Sequence, residues 1–154
     1  MITNTNAKKL AVIMGILSLF ILGFLGCSSP KEKEAKFFKS AEKYYEEGKY
    51  PEAIIQYLNV LQINPKNATA QYKLALAYLK TKKAKEAFRA LIKTADLDPK
   101  NVDAHLKLAE FYLLAGKLKE AEKEAEKIKG LDPKNDILKL LLANISIRNK
   151  KWDD

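Results

Sequence analysis

The sequence predicts an all-α protein built from tandem helical hairpins, and two observations lead to this prediction. Lys, Glu, Ala and Leu are abundant, whereas the 154 residues include only 6 Gly and 5 Pro, and such a composition favours helices. In addition, the tetrapeptide Asn/Asp-Pro-Lys-Asn recurs every 34 residues, at 64–67, 98–101 and 132–135. A fixed period of this length indicates a repeat architecture.

The repeats span 34–67, 68–101 and 102–135, and a partial repeat spans 136–154. Particular residue types keep the same position in successive repeats. Alanine is eighth (Ala41, Ala75, Ala109, Ala143), tyrosine is eleventh (Tyr44, Tyr78, Tyr112) and alanine is twentieth (Ala53, Ala87, Ala121).

Each repeat is expected to form two amphipathic helices, such as 35–47 and 51–63 in the first repeat. Alanine at the eighth and twentieth positions allows the two helices to cross closely. The last Asn of each tetrapeptide is placed to cap the next helix, and the Pro is placed to end the previous one. Because one hairpin cannot bury its apolar side alone, successive hairpins must stack.

These positions resemble the tetratricopeptide repeat, and the resemblance covers residues 34–154. It implies a solenoid of helix-turn-helix repeats that forms a right-handed superhelix. It also implies a concave groove, lined by the first helix of each repeat, that binds a protein or peptide. The sequence departs from the family pattern at the fourth position, where Trp is frequent, and has Phe37, Gln71, His105 and Lys139 there.

The groove implied by this resemblance is mostly apolar and aromatic. Its residues are Phe38, Tyr72, Leu106 and Leu140 at position five, Glu42, Leu76, Glu110 and Asn144 at position nine, and Tyr45, Leu79, Leu113 and Ile147 at position twelve. The family's best-known peptide site binds a terminal carboxylate through Lys, Asn and Arg, which do not occur together at the matching positions. With Lys73, Lys80 and Lys107 at its rim, the groove is expected to bind an amphipathic helix or an extended apolar segment with acidic flanks. Alternatively, positions five and twelve are partly covered by packing within the repeat.

At the N-terminus, Lys8 and Lys9 precede an apolar run at 10–26, and Cys27, the only cysteine of the chain, follows directly. This pattern resembles a bacterial lipoprotein signal peptide over residues 1–26. The resemblance implies cleavage before Cys27, its acylation with groups such as palmitate, and a short polar tether over 27–33. Phe24 and Leu25 depart from the usual lipobox, and an uncleaved membrane helix is the alternative. Ser28 after the Cys is typical of lipoproteins on the periplasmic side of the outer membrane.

Residues for catalysis are scarce. The chain has one His and one Cys, and His105 stands at a packing position of the repeat. We therefore expect no catalytic residues, no metal site, no cofactor and no enzymatic activity. The net charge is +9, but the basic residues alternate with Glu, which argues against nucleic-acid binding.

The expected function is that of a membrane-anchored scaffold of the bacterial cell envelope that recruits or aligns subunits of a larger machine. Repeat lipoproteins of this type serve pilus-secretin assembly, outer-membrane protein assembly and exopolysaccharide export, and this chain is most similar to the third group. Two alternatives remain: a substrate-positioning module joined to a downstream catalytic domain, and a carrier of lipid or lipid-linked sugar.

The last predicted helix is apolar on more than one side. Its apolar residues are Leu138, Leu140, Leu141, Leu142, Ile145 and Ile147. Covering the third repeat uses only part of this surface, so several side chains are expected to face solvent. The sequence therefore predicts either a fragment of a longer repeat protein or self-association through the C-terminal face.

Replacing Cys27 with Ala tests the predicted anchor. The variant is expected to lose acylation, processing and membrane attachment, because the thiol accepts the lipid. Incorporation of labelled palmitate and sedimentation with membranes measure these losses, with Ser28→Ala as the control. Labelling of the Cys27→Ala variant would contradict the lipoprotein interpretation.

Overall fold

The computed structural model describes residues 29–150. The predicted signal segment, Cys27 and residues 151–154 lie outside this range. Among the described residues, 34–150 belong to one compact unit. The part described contains seven helices and no strand, and the helices are α1 (Pro30–Glu46), α2 (Tyr50–Ile63), α3 (Ala68–Lys80), α4 (Ala84–Leu97), α5 (Val102–Leu114), α6 (Leu118–Leu131) and α7 (Asp136–Lys150).

The predicted helical hairpins are confirmed. Helices α1 and α2, α3 and α4, and α5 and α6 form the three full repeats, and α7 is the first helix of the fourth. Gly48 and Gly116 turn the chain inside the first and third repeats with φ of +73° and +71°. In the second repeat Lys82 takes the same left-handed conformation, with φ of +59°, although this region favours glycine.

Helix α1 begins earlier than the sequence suggests. Residues 30–33, assigned to a polar tether, are helical. The backbone N–H of Ser29 donates to Glu32 Oε2 over 2.8 Å, and the N–H of Glu32 donates to Ser29 Oγ over 3.2 Å. This reciprocal capping box satisfies two free amide groups, and Pro30 suits the first helical turn.

The predicted asparagine caps are present at the start of every later first helix. The side chain of Asn67 accepts from the N–H of Ala70 over 2.9 Å, and Asn101 does the same for Ala104. Asn135 accepts from the N–H of Leu138 over 3.1 Å. Each cap therefore satisfies an amide that the helix itself leaves free.

The core consists of three clusters, and each joins both helices of one repeat to the first helix of the next. The cluster between the first and second repeats is Ala41, Ala53, Ile54, Tyr57, Leu74 and Ala77. The next is Ala75, Ala90, Leu91, Ala104 and Leu108. The last is Leu106, Ala109, Leu113, Ala121, Ala125, Ile128, Leu138, Leu141 and Ile145. No repeat has a core of its own, as a solenoid requires.

Helix α7 has the apolar surface that the sequence predicts. Leu138, Leu141 and Ile145 are buried against α5 and α6, while Leu140 and Ile147 are 67% and 56% exposed. Several apolar side chains of this helix therefore face solvent, as expected. In the part of the chain described here, no helix is long and apolar enough to cross a membrane.

Enlarging an alanine at a helix crossing is expected to destabilise the solenoid. Ala109 is fully buried at position eight of the third repeat. Ala109→Leu should lower the free energy of unfolding by about 1–3 kcal/mol, because three extra carbons enter a packed crossing. Ala143 occupies the same position of the fourth repeat but is exposed, so Ala143→Leu is the matched control. Chemical denaturation measures both, and equal effects would contradict the close-packing explanation.

Candidate functional site

The predicted groove residues lie on α1, α3, α5 and α7, and their exposure differs along the chain. Phe38, Glu42, Tyr45, Tyr72, Leu76 and Leu79 on the first two of these helices are half-buried. On α5, Leu106 and Leu113 are buried and belong to the core, whereas Glu110 is exposed. On α7, Leu140, Asn144 and Ile147 are exposed. The alternative, that packing covers positions five and twelve, is therefore right for the third repeat.

Five of the predicted groove residues share one depression of about 220 Å³ between α5 and α7. They are Leu106, Glu110, Leu113, Leu140 and Asn144, and Ile137 and Leu141 complete the lining. Ile137 is 52% exposed and stands three residues before Leu140, so both lie on the same side of α7. This spacing could have identified it from the sequence. We call this depression and the exposed side of α7 the C-terminal groove.

In the part of the predicted groove formed by α1 and α3, the charged side chains pair with each other. Glu42 accepts hydrogen bonds from the hydroxyl of Tyr57 and, over 2.8 Å, from Lys73 Nζ. The same ammonium group lies 5.9 Å from the centre of the Tyr45 ring. Burial, followed by the hydrogen bond to Glu42, raises the pKa of Tyr57. Glu42 and Lys73 thus link three helices and are not free to bind a charged partner.

The positive charge of the predicted lysine rim is also partly neutralised on α5. Lys107 Nζ lies 3.2 Å from Glu110 Oε2, so both charges at the C-terminal groove have a partner. Lys80 is exposed at the end of α3. The groove is therefore apolar with a nearly balanced rim, rather than basic.

Tyr72 is held in the middle of the groove by the second core cluster. It is half-buried and packs against that cluster on α3. Burial, followed by the negative charge of Asp103, raises the pKa of its phenol to about 12. A buried phenol stays neutral because the phenolate would lose its hydration.

His105 has a structural place, in agreement with its position in the repeat. It is 2% exposed, with Nδ1 lying 2.6 Å from Glu124 Oε2 and Nε2 lying 3.0 Å from the carbonyl oxygen of Pro99. Glu124 also accepts from Lys127 Nζ over 2.9 Å. Both ring nitrogens are therefore occupied, and the side chain ties the turn before α5 to α6. Within residues 29–150, no group of three acidic, His or Cys residues is placed to hold a metal ion.

The sequence did not reveal a second apolar site, at the turn ends of the second and third repeats. A depression of about 300 Å³ is lined there by Ala84, Lys85, Phe88, Phe111, Tyr112, Ala115 and Lys117. An adjoining one of about 330 Å³ is lined by Leu79, Lys82, Ala84, Glu110, Phe111 and Leu114. We call the first of these the edge pocket. Its aromatic residues stand at packing positions of the repeat, which is why the pattern gave no signal for a surface site.

Comparison with known families agrees with this geometry. A family model described as TPR repeat matches residues 41–82, and one described as tetratricopeptide repeat matches residues 82–145. Residues 41–145 are tetratricopeptide repeats. This fold is typically a non-catalytic scaffold for protein interactions. No curated protein matches the chain.

Several solved tetratricopeptide structures are similar to the chain. The second TPR domain of human RPAP3, in complex with the HSP70 peptide SGPTIEEVD, is 27% identical with a TM-score of 0.68, over 77% of this chain and 98% of that one. The first TPR of Spaghetti (RPAP3), bound to the HSP90 peptide SRMEEVD, is 28% identical with a TM-score of 0.67, and the match covers 75% of this chain and 91% of that one. A repeat protein from Parabacteroides merdae shares the fold at 21% identity, with a TM-score of 0.71 over 78% of this chain and 47% of that one.

The raised pKa of Tyr72 makes stability depend on alkaline pH. In the unfolded chain the phenol has its ordinary pKa of 10.0, whereas in the folded chain burial raises this pKa to about 12. The stabilisation is therefore complete below pH 10 and is lost as the pH rises towards 12. Tyr72→Phe, which cannot ionise, should lose less stability over this interval. Denaturation of both chains at several pH values measures the difference, and parallel losses would contradict the assignment.

Proposed function

We propose that this chain is a membrane-anchored interaction scaffold of the bacterial cell envelope, and that it recruits a partner through the C-terminal groove. The observation that carries the proposal is the exposure of three aliphatic side chains on α7. Ile137, Leu140 and Ile147 are 52%, 67% and 56% exposed, and the first two line the depression between α5 and α7. They follow one side of α7 at helical spacing. An apolar surface of this kind on a folded repeat is a common feature of interaction sites.

The chemistry of this surface indicates the class of partner. Its centre is aliphatic, and its charges at Lys107 and Glu110 are paired with each other. A strongly charged ligand would have to compete for that pair, whereas an apolar segment would cover the aliphatic centre and leave the pair at the rim. The favoured ligand is an amphipathic helix or an extended apolar segment of another protein.

The peptide complexes of similar proteins support binding in a repeat groove, although not the same chemistry. The bound peptides SGPTIEEVD and SRMEEVD both end in EEVD. In this chain, position five of the first two repeats holds Phe38 and Tyr72, and position nine holds Glu42 and Leu76. These side chains offer no cluster of positive donors for a terminal carboxylate. We therefore propose recognition by apolar contacts.

The anchor and the location complete the proposal and are supported by the sequence alone. A lipid on Cys27 would hold the repeats at the periplasmic side of the outer membrane, since each buried methylene contributes about 0.8 kcal/mol to membrane binding. The machine served would be an export or assembly system, with exopolysaccharide export favoured by the similarity of the repeats and their Asp-Pro-Lys-Asn joints.

Site-specific crosslinking in cells tests the groove. A photoreactive amino acid at position 140 should give a discrete adduct with one envelope protein, whereas the same amino acid at position 55 should not. Ile55 lies on α2 and is 57% exposed, so it is a matched control outside the groove. Ile147→Lys should reduce the adduct formed at position 140, because it places a charge in the apolar contact. Equal adducts from both positions would contradict the assignment.

A further inference from the structure

Lysines cluster where the second and third repeats turn from their first to their second helix. The cluster consists of Lys82, Lys83, Lys85, Lys117 and Lys119, all exposed. Of these five lysines, only Lys117 lies within ion-pair distance of a carboxylate of the described residues, that of Glu120 at 4.0 Å. The turn of the first repeat differs, because Lys49 pairs with Glu47 there at 2.8 Å. The edge of repeats two and three therefore carries a local excess of positive charge.

These lysines border the edge pocket. Lys85 and Lys117 line it, and Lys82 lines the adjoining depression. The charges therefore stand on both sides of an apolar floor. In contrast to Lys73 and Lys107 of the predicted groove rim, which are paired, Lys82 and Lys85 have no carboxylate of the described residues within ion-pair distance.

The aromatic walls of the edge pocket hold one another in place. The rings of Phe88 and Phe111 are 5.5 Å apart at 54°, and those of Phe88 and Tyr112 are 5.5 Å apart at 87°. All three residues also pack against the second core cluster. A pocket whose walls are fixed by the core needs little rearrangement to accept a ligand, which favours affinity.

From this arrangement we propose that the edge pocket binds an extended acidic segment of a partner protein through one aromatic or large aliphatic anchor residue. The anchor fills the depression between Phe88, Phe111 and Tyr112, and carboxylates on either side pair with Lys85 and Lys117. The edge pocket shares no lining residue with the depression of the C-terminal groove. The two sites also differ in charge, because the rim of the edge pocket has an excess of positive charge, whereas the charges beside the groove are paired. One chain can thus hold two segments of different chemistry.

A membrane surface fits this site less well than a peptide. The aromatic side chains are recessed and half-buried, so a lipid tail would have to leave the bilayer to reach them. An extended peptide, by contrast, can point one side chain into the pocket and the neighbouring side chains towards the lysines on either side. Charge complementarity alone would allow both ligands, and the recessed pocket favours the peptide.

A binding experiment with the whole chain in phosphatidylcholine nanodiscs tests the proposal. The probe is a fluorescent peptide with one Trp between pairs of Glu, blocked at both ends so that it has no free carboxyl terminus. Fluorescence anisotropy should show binding that weakens with added salt. A second peptide with Ser in place of Trp should bind at least about tenfold more weakly, because it lacks the anchor.

Two variants and their matched controls locate the binding. Ala115→Trp places a large side chain in the pocket from an exposed position, and the double variant Lys85→Glu with Lys117→Glu reverses its rim. Each should weaken binding by about tenfold or more. The controls are Ala143→Trp on α7 and Lys66→Glu with Lys134→Glu at the joints between repeats, and they should leave binding unchanged. Circular dichroism confirms equal helicity in every variant.

Three outcomes would overturn the proposal. The first is equal affinity of the Trp and Ser peptides, which would show that charge alone attracts them. The second is loss of binding in Leu140→Lys but not in Ala115→Trp, which would place the peptide in the C-terminal groove. The third is displacement of the peptide by vesicles containing phosphatidylglycerol together with Lys85-dependent binding of those vesicles, which would assign the edge to the membrane.

Discussion

The structure depends on close contact between helices at small side chains. Ala41, Ala75 and Ala109 at position eight, and Ala53, Ala87 and Ala121 at position twenty, are all fully buried. With only a methyl group at each crossing, two helices can approach closely enough for larger residues beside them to interdigitate. Each resulting cluster needs the first helix of the next repeat, so the stability of one repeat depends on its neighbour.

The stacking of repeats also determines which apolar side chains are covered and which stay exposed. In the third repeat, where α7 covers α5, Leu106 and Leu113 belong to the core and are not available to a partner. On α7, Leu140 and Ile147 remain open. The same arrangement brings the end of α5 close to the start of α4, which creates the edge pocket around Phe88 and Phe111. Both candidate binding surfaces therefore arise from the stacking of repeats, and neither belongs to one repeat alone.

Ion pairing likewise determines which charged side chains remain available to a partner. Glu42 and Lys73 are 31 residues apart in the chain, yet their side chains form a 2.8 Å ion pair across two repeats. Two residues that looked like separate contributions to a groove and its rim thus neutralise each other. The lysines at the edge of repeats two and three lie among few carboxylates, so their positive field extends to solvent. Which lysines can attract a partner is decided by their neighbours in space.

The sequence alone determined the repeat, the bounds of its helices to within a few residues, the asparagine caps and the packing role of His105. These features are local or periodic: a cap involves residues three apart, and a buried alanine recurs every 34 residues. The lipid anchor on Cys27 and the envelope location also come from the sequence, and they stay predictions. The helical start of α1 at Pro30 was missed because its lysine and glutamate content is as typical of a tether as of a helix.

Only the tertiary structure decided which apolar residues are exposed and which charges are free. A leucine at position five is buried in the third repeat and 67% exposed in the fourth, although the pattern is the same. The difference arises because burial depends on whether another helix lies over the residue. Likewise, Phe88 and Phe111 are 23 residues apart and meet only when two repeats pack. Periodicity specifies which side of its own helix a residue occupies, whereas a surface site is formed by residues from several helices.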